Sequence, residues 1–92
     1  MTIRVEYFGQ LATVTDKREE LREIAEGATL RELLHDLADT YGRPFAAIVT
    51  DTDGNIRPSL LALMNGAVVD KTDNPVIGDG SSLKLLSAIA GG

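Results

Sequence analysis

The sequence predicts an α+β domain in which a mixed sheet of four or five short strands packs on one amphipathic helix. Three observations indicate this fold class: one segment with a clear helical period, several short segments that alternate or run apolar, and tight-turn signals between them. The chain has 92 residues, enough for one core, and contains no linker, repeat or low-complexity tract. We therefore expect a single domain over residues 1–92. One helix cannot cover both faces of a doubly wound sheet, which excludes that fold class.

The clearest helix is predicted at Leu30–Tyr41. Its apolar residues recur with the i, i+3, i+4, i+7 spacing of one buried stripe. Thr29 is the expected N-cap, and Glu32 stands three residues later, which is the pattern of a reciprocal capping box. Gly42 fits the left-handed position after the last turn, and Pro44 should prevent the helix from continuing.

Strands are predicted both before and after this helix in the sequence. Thr2–Phe8 alternates between apolar and charged residues, as a half-buried strand does. Leu60–Met64 and Ala67–Asp70 flank Asn65-Gly66, a dipeptide that tolerates the two positive φ angles of a type I′ hairpin turn. Both faces of this hairpin are apolar, so its strands are either central in the sheet or carry a binding face.

Two further turns and a last strand complete the predicted sheet. Asp51–Gly54 indicates a turn between Ala46–Val49 and Ile56. Gly78-Asp79-Gly80 turns the chain into a strand at Ser82–Leu86, in which apolar and polar residues alternate.

The segment Asp16–Ala25 is ambiguous. Asp16 and Glu19, followed by spaced apolar residues, indicate a short helix. A strand would mix charged and apolar residues on both of its faces, which is a poor alternation. The local pattern therefore favours a helix.

Composition excludes several classes of function. Nine basic and fourteen acidic residues give a net charge of −5, which argues against binding to nucleic acid or to an anionic membrane. This charge would suit a basic partner surface, although solubility is its commoner role. The absence of cysteine excludes disulfides and thiolate chemistry. No apolar run could span a bilayer and no signal peptide is evident, so we expect a cytoplasmic location.

The chain has no evident catalytic apparatus of its own. His35 is the only histidine, and it would lie on the helix face away from the leucine stripe, with Asp36 and Asp39 beside it. Without a pocket to shift their pKa values, such groups form an ordinary solvated surface. There is no phosphate-binding glycine loop either. We expect no bound metal and no bound cofactor.

The strongest functional signal is the C-terminal segment, residues 87–92. Its sequence, Ser-Ala-Ile-Ala-Gly-Gly, is small or apolar and uncharged. A frayed terminus is the ordinary interpretation, but frayed tails are usually polar. Glycines lack a Cβ atom, so their backbone can enter a narrow channel and approach a reactive centre closely. We expect a flexible tail whose terminal carboxylate is the reacting group.

Five features stand in order along the chain: Tyr7-Phe8-Gly9-Gln10-Leu11-Ala12, the Thr29-capped helix, Asn65-Gly66, Gly78-Asp79-Gly80 and Ala88-Ile89-Ala90-Gly91-Gly92. Together they resemble the ubiquitin-like sulfur carriers of the MoaD/ThiS type. The similarity covers nearly the whole chain and is greatest to the MoaD branch, the small subunits of molybdopterin synthase.

This resemblance implies a β-grasp, or ubiquitin-like, fold. In that fold Arg18–Ala25 is the second strand and forms a hairpin with the first. The implication conflicts with the local helical pattern, and we follow the family because sheet pairing overrides local propensity over so few residues. Arg43–Ser59 resembles an elaboration of archaeal-type members.

The resemblance also implies a function as a sulfur carrier. A partner enzyme of the ubiquitin-activating type would use ATP to adenylate the carboxylate of Gly92, with Gly91 as its unhindered neighbour. A sulfur donor would then convert the adenylate into a thiocarboxylate that donates sulfur in molybdopterin (molybdenum cofactor) biosynthesis, with the large subunit of molybdopterin synthase as a further partner. The implied partner-binding residues are Phe8, Val68, Leu86, Ile89 and Ala90.

Alternatives remain open at this stage. Many family members have a proline pair before the last four residues, where this chain has Ser87-Ala88, and this weakens the assignment to molybdopterin synthase relative to other carriers. The acceptor pathway could be thiamine synthesis, tRNA thiolation or cysteine synthesis. The chain could also be a ubiquitin-like modifier joined to lysines through Gly92, or a β-grasp binding module without terminal chemistry.

Overall fold

The computed structural model of the chain describes residues 1–87. Within this range the chain forms five strands and three α-helices. A short 3₁₀ turn at Lys71–Asp73 follows the fourth strand. The elements are β1 Thr2–Tyr7, α1 Gln10–Thr15, β2 Glu19–Glu23, α2 Leu30–Tyr41, α3 Arg43–Val49, β3 Leu60–Met64, β4 Ala67–Val68 and β5 Ser82–Ser87.

The five strands form one mixed sheet with the order β2-β1-β5-β3-β4. β1 and β5 pair in parallel at its centre, and the other neighbouring strands pair antiparallel. Helix α2 packs on one face of the sheet, here called the inner face. This is the β-grasp arrangement, so the predicted α+β class with a mixed sheet on one main helix is confirmed.

Helix α2 supplies its leucine stripe to the core. The Thr29 side chain accepts a hydrogen bond from the Glu32 backbone N–H, and the Glu32 carboxylate accepts one from the Thr29 backbone N–H, which confirms the capping box. The stripe packs against inner-face residues of β1, β3 and β5. The buried set includes Ile3, Val5, Tyr7, Leu30, Leu33, Leu34, Leu37, Leu60, Ala62, Leu83 and Leu85.

The segment after α1 is a strand, so the local helical interpretation of Asp16–Ala25 is wrong and the family-based one is correct. β2 pairs antiparallel with β1, and Val5 lies opposite Glu20. In an ordinary half-buried strand the apolar residues face the core, but here the order is reversed. Glu20 and Arg22 face α2, while Leu21 faces outward and is 69% exposed. Hydrogen bonds and ion pairs to α2 replace the apolar contacts that ordinarily identify a strand.

Two short helices were not expected from the sequence. α1 begins after Gly9, whose φ is 58°. α3 begins directly after Gly42, with Pro44 in its first turn, where proline fits helical geometry without losing a hydrogen bond. Pro44 therefore coincides with the predicted end of α2 but also opens a second helix. That helix takes in the predicted segment Ala46–Val49, and its Phe45 and Val49 are buried one turn apart.

The predicted turns are present. Asn65 and Gly66 have φ angles of 53° and 87°, and Leu63 pairs with Val68, as a two-residue type I′ hairpin requires. The partner strand is shorter than predicted, because β4 ends at Val68. β5 is one residue longer than predicted: Ser87, the first residue of the predicted tail, pairs with Leu60.

Candidate functional site

The outer face of the sheet, opposite α2, carries an apolar patch. Phe8 follows the buried Tyr7, so it lies on the outer side, and it is 44% exposed. Its backbone N–H donates to the Leu85 carbonyl at 3.1 Å, which sets Phe8 beside Leu86. Phe8 and Leu86, two of the partner-binding residues that the family resemblance implies, therefore share the outer side of the sheet.

The patch continues across β3 to the edge of the sheet. Leu86 is paired with Leu61, and Leu63 is paired with Val68, which is 66% exposed. Paired residues point to the same face. Phe8, Leu61, Leu63, Val68 and Leu86 are called the apolar patch below.

Ion pairs bound the apolar patch on the β1–β2 side. A guanidinium nitrogen of Arg4 lies 3.3 Å from the Glu19 carboxylate, and the Lys84 amine lies 3.9 Å from that of Glu6. Leu21 is exposed on the same face but lies opposite Arg4, apart from the apolar patch. The outer face is thus divided into an apolar half and a half in which charges pair with one another.

An open cavity of about 440 Å³ adjoins Phe8 on the side away from Leu86. The cavity lies beyond the last residue pair of β1 and β2, Glu6 and Glu19, where the chain continues into α1. The lining residues are Glu6, Tyr7, Phe8, Gly9, Ala12, Arg18 and Glu19.

A polar cluster under the inner face fixes β2 on α2. The Glu20 carboxylate accepts hydrogen bonds from the hydroxyls of Tyr7, at 2.5 Å, and Tyr41, and it pairs with Arg22 at 3.6 Å. Burial works to raise the pKa of Glu20, but the two hydroxyls, Lys17 and Arg22 outweigh it, and the pKa is lowered. Burial, reinforced by the bond to Glu20, raises the pKa of Tyr7. Glu20, Tyr7, Tyr41 and Arg22 are thus bonded to one another, and we assign this cluster a structural role.

A family model named ThiS matches residues 5–92, almost the whole chain. The chain belongs to the ThiS family. This family comprises the ubiquitin-like sulfur carriers and modifiers, whose members work with adenylating enzymes of the ubiquitin-activating type and with synthase subunits. A search of curated protein sequences finds no match.

Solved structures show that this ThiS-family chain shares the fold of several small proteins. SAMP1, the small archaeal modifier protein 1 of Haloferax volcanii, superposes with a TM-score of 0.84 at 22% identity and 100% coverage of both chains. Urm1 from Trypanosoma brucei gives 0.79 at 22% identity, covering 99% of this chain and 95% of that one. A protein assigned as molybdopterin converting factor subunit 1 from Pyrococcus furiosus gives 0.72 at 19% identity, covering 97% and 99%.

In the described part of the chain, the polar residues on the exposed face of α2, among them His35 and Asp36, do not form a catalytic or metal site. His35 is exposed, and its Nε2 lies 3.2 Å from the Gly54 carbonyl oxygen. Asp36 is held by Arg22 at 3.2 Å. Within residues 1–87, no group of histidine, aspartate and glutamate side chains could hold a metal ion. In the same part of the chain no helix is long and apolar enough to cross a membrane.

The structure brings together three of the predicted partner-binding residues, Phe8, Val68 and Leu86. The predicted tail residues Ile89, Ala90, Gly91 and Gly92 lie outside the described residues, as does Ala88. Leu61 and Leu63 were missed by the site prediction, although the apolar character of both hairpin faces was the signal that could have identified them.

Proposed function

We propose that this ThiS-family protein is a sulfur carrier whose Gly92 carboxylate is adenylated and then converted to a thiocarboxylate. An enzyme of the ubiquitin-activating type binds ATP and forms the adenylate, and the carrier itself binds no cofactor. The observation that carries the proposal is the family match, which extends through Gly91 and Gly92 at the end of the chain.

The order of reaction follows from the electrophilicity of the carboxyl group. A carboxylate is a poor electrophile, so its oxygen first attacks the α-phosphate of ATP, releasing pyrophosphate and forming an acyl adenylate. Hydrosulfide released by the donor then attacks the carbonyl carbon, AMP leaves, and loss of the sulfur-bound proton gives the thiocarboxylate. Gly91 and Gly92 suit this chemistry because no side chain hinders the approach to the carbonyl.

The apolar patch is the proposed docking surface for the activating enzyme. Leu86 belongs to the patch and immediately precedes Ser87, the end of β5. From Ser87 the five remaining residues reach at most about 18 Å. A partner seated on the patch would thus hold the reacting carboxylate within a defined radius, while Ile89 and Ala90 line the path to its active site.

We place molybdopterin biosynthesis first among the acceptor pathways, with the large subunit of molybdopterin synthase as a second partner. The fold shared with a protein assigned as molybdopterin converting factor subunit 1 supports this. A carrier for thiamine synthesis, tRNA thiolation or cysteine synthesis uses the same thiocarboxylate. We also propose a cytoplasmic location, where ATP is at hand.

The second candidate function is a protein modifier. The shared fold with the small archaeal modifier protein 1 supports it. In this case a lysine amine of a target protein attacks the same acyl adenylate, AMP leaves, and an isopeptide bond forms at Gly92.

One experiment tests both candidates. The carrier is incubated with its adenylating enzyme, ATP and a sulfur donor, and its intact mass is measured. A carrier gains the mass difference between a sulfur and an oxygen atom. When a cell extract is added to the same incubation, a modifier gives conjugates in which Gly92 is linked to lysines of the extract proteins. If neither product forms with an enzyme that is active on another carrier, the proposal is wrong.

A further inference from the structure

Docking on the apolar patch alone leaves the cavity beside Phe8 without an occupant. We propose that it receives an apolar side chain of the adenylating partner, and that a carboxylate next to that side chain pairs with the Arg18 guanidinium. This rests on the proposed function, because it specifies which chemistry of that same partner the docking surface recognises.

Two of the residues that line the cavity, Gly9 and Ala12, are small and leave its space unfilled. Gly9 has no side chain, and a Cβ atom built on it would meet nothing within 4 Å. Ala12, on the first turn of α1, presents only a methyl group. The ring of Phe8 forms a wall shared with the apolar patch, so a partner that covers the patch also covers the mouth of the cavity.

The size of the cavity suits an anchoring side chain. About 440 Å³ falls in the range of about 300–1,000 Å³ typical of ligand pockets. Binding energy at interfaces concentrates where an apolar or aromatic anchor fills a concavity that the complex closes to water. A partner that covers the neighbouring apolar patch would exclude water around the anchor.

The charge at the rim defines the second half of the recognition. Glu6 is paired with Lys84, and Glu19 is paired with Arg4. Arg18 has no acidic partner among residues 1–87. The uncompensated charge at this rim is therefore positive although the whole chain carries −5. The complementary group is a carboxylate, which a planar guanidinium can bind through two parallel hydrogen bonds.

The test compares two arginines that undergo the same change of charge. Arg18→Glu alters the cavity rim. Arg31→Glu is the matched control, because Arg31 is exposed at the start of α2 and also lacks an acidic partner among residues 1–87. The Kd of each full-length carrier for the full-length adenylating enzyme is measured at low and physiological salt. We expect Arg18→Glu to weaken binding by about tenfold or more, Arg18→Lys to recover part of the loss, and Arg31→Glu to have no effect.

A cavity-filling variant tests the apolar half. Ala12→Leu adds three carbon atoms to the cavity wall, and we expect weaker binding; its unfolding midpoint is measured alongside, because Ala12 also packs against the core. If Arg18→Glu weakens binding no more than Arg31→Glu while Phe8→Ala weakens it by about 30-fold, the cavity proposal is wrong and the docking surface stands. If Phe8→Ala also binds normally, the docking surface itself is wrong.

Discussion

Exposed apolar side chains are common on protein surfaces, so exposure alone does not make Phe8 a binding residue. Its setting does. Phe8 lies beside Leu86 and is continuous with three more apolar side chains, whereas Leu21, although more exposed, lies opposite Arg4 in the charged half of the same face. Both are exposed apolar side chains on one face of the sheet and they differ in their neighbours, which makes Leu21 a control for Phe8.

Phe8→Ala should weaken binding to the adenylating enzyme by about 2 kcal/mol, or about 30-fold, because a buried aromatic anchor is lost from the interface. Leu21→Ala should leave the affinity unchanged. Both variants should keep the thermal midpoint of the wild type, because neither side chain is in the core. Calorimetric titration measures the affinity, and an equal loss in the two variants would contradict a localised patch.

The Glu20 carboxylate joins β2 to the core and to α2 through the hydroxyls of Tyr7 and Tyr41. Glu20→Gln removes charge-assisted hydrogen bonds from Tyr7 and Tyr41 and should lower the free energy of unfolding by about 1–3 kcal/mol. Glu26→Gln, on an exposed residue, is the control.

The effect of Glu20 has a predictable dependence on pH. Its folded pKa is lowered from the ordinary 4.5, so its contribution is complete above that value and disappears as the pH falls through the folded pKa. Urea unfolding between pH 7 and pH 2 measures this. Wild type and Glu20→Gln should differ at pH 7 and converge in acid, and a difference that grew in acid would contradict the lowered pKa.

At the scale of elements, the β3–β4 turn sets the register that places Val68 opposite Leu63. Gly66 has a φ of 87°, which side chains on L-residues rarely adopt. Gly66→Ala should therefore destabilise the fold by about 1 kcal/mol. Gly78→Ala is the control, because Gly78 has no positive φ and its added Cβ would lie 3.6 Å from the Ser81 hydroxyl, an ordinary contact. Chemical denaturation measures both, and equal effects would contradict the conformational explanation.

Elements whose stability is local were predictable from the sequence. The capping box and leucine stripe of α2 and the Asn65-Gly66 turn are encoded within a few residues. β2 was not predictable from its own pattern, because Glu20 and Arg22 face inward and are satisfied by partners on α2. α1 and α3 were missed for a related reason: each is short, and burial of Leu11 or Phe45 in the core contributes what propensity does not.

At the scale of the whole molecule, the two faces of the sheet have separate roles. The inner face forms the core with α2, and the outer face carries the apolar patch, whose β5 strand leads towards Gly92. The composition defines the net charge of −5 but not its distribution over the surface. The pairing of Glu19 with Arg4 and of Glu6 with Lys84 leaves Arg18 without an acidic partner among residues 1–87, and this arrangement depends on the tertiary structure.

Formation of the thiocarboxylate at Gly92 is the most direct test of the proposed function. Wild type, a variant lacking Gly92, and Gly91→Val are each incubated with the adenylating enzyme, ATP and a sulfur donor, and intact masses are recorded. Deleting Gly92 moves the carboxylate by about 3.5 Å, and a misplacement of about 1 Å can cost about 100-fold in rate. We expect sulfur exchange in the wild type alone, with Gly91→Val failing because its branched side chain obstructs the channel. All three should fold, since the described core lies within residues 1–87. Normal activation of the variant lacking Gly92 would contradict both the carrier and the modifier functions.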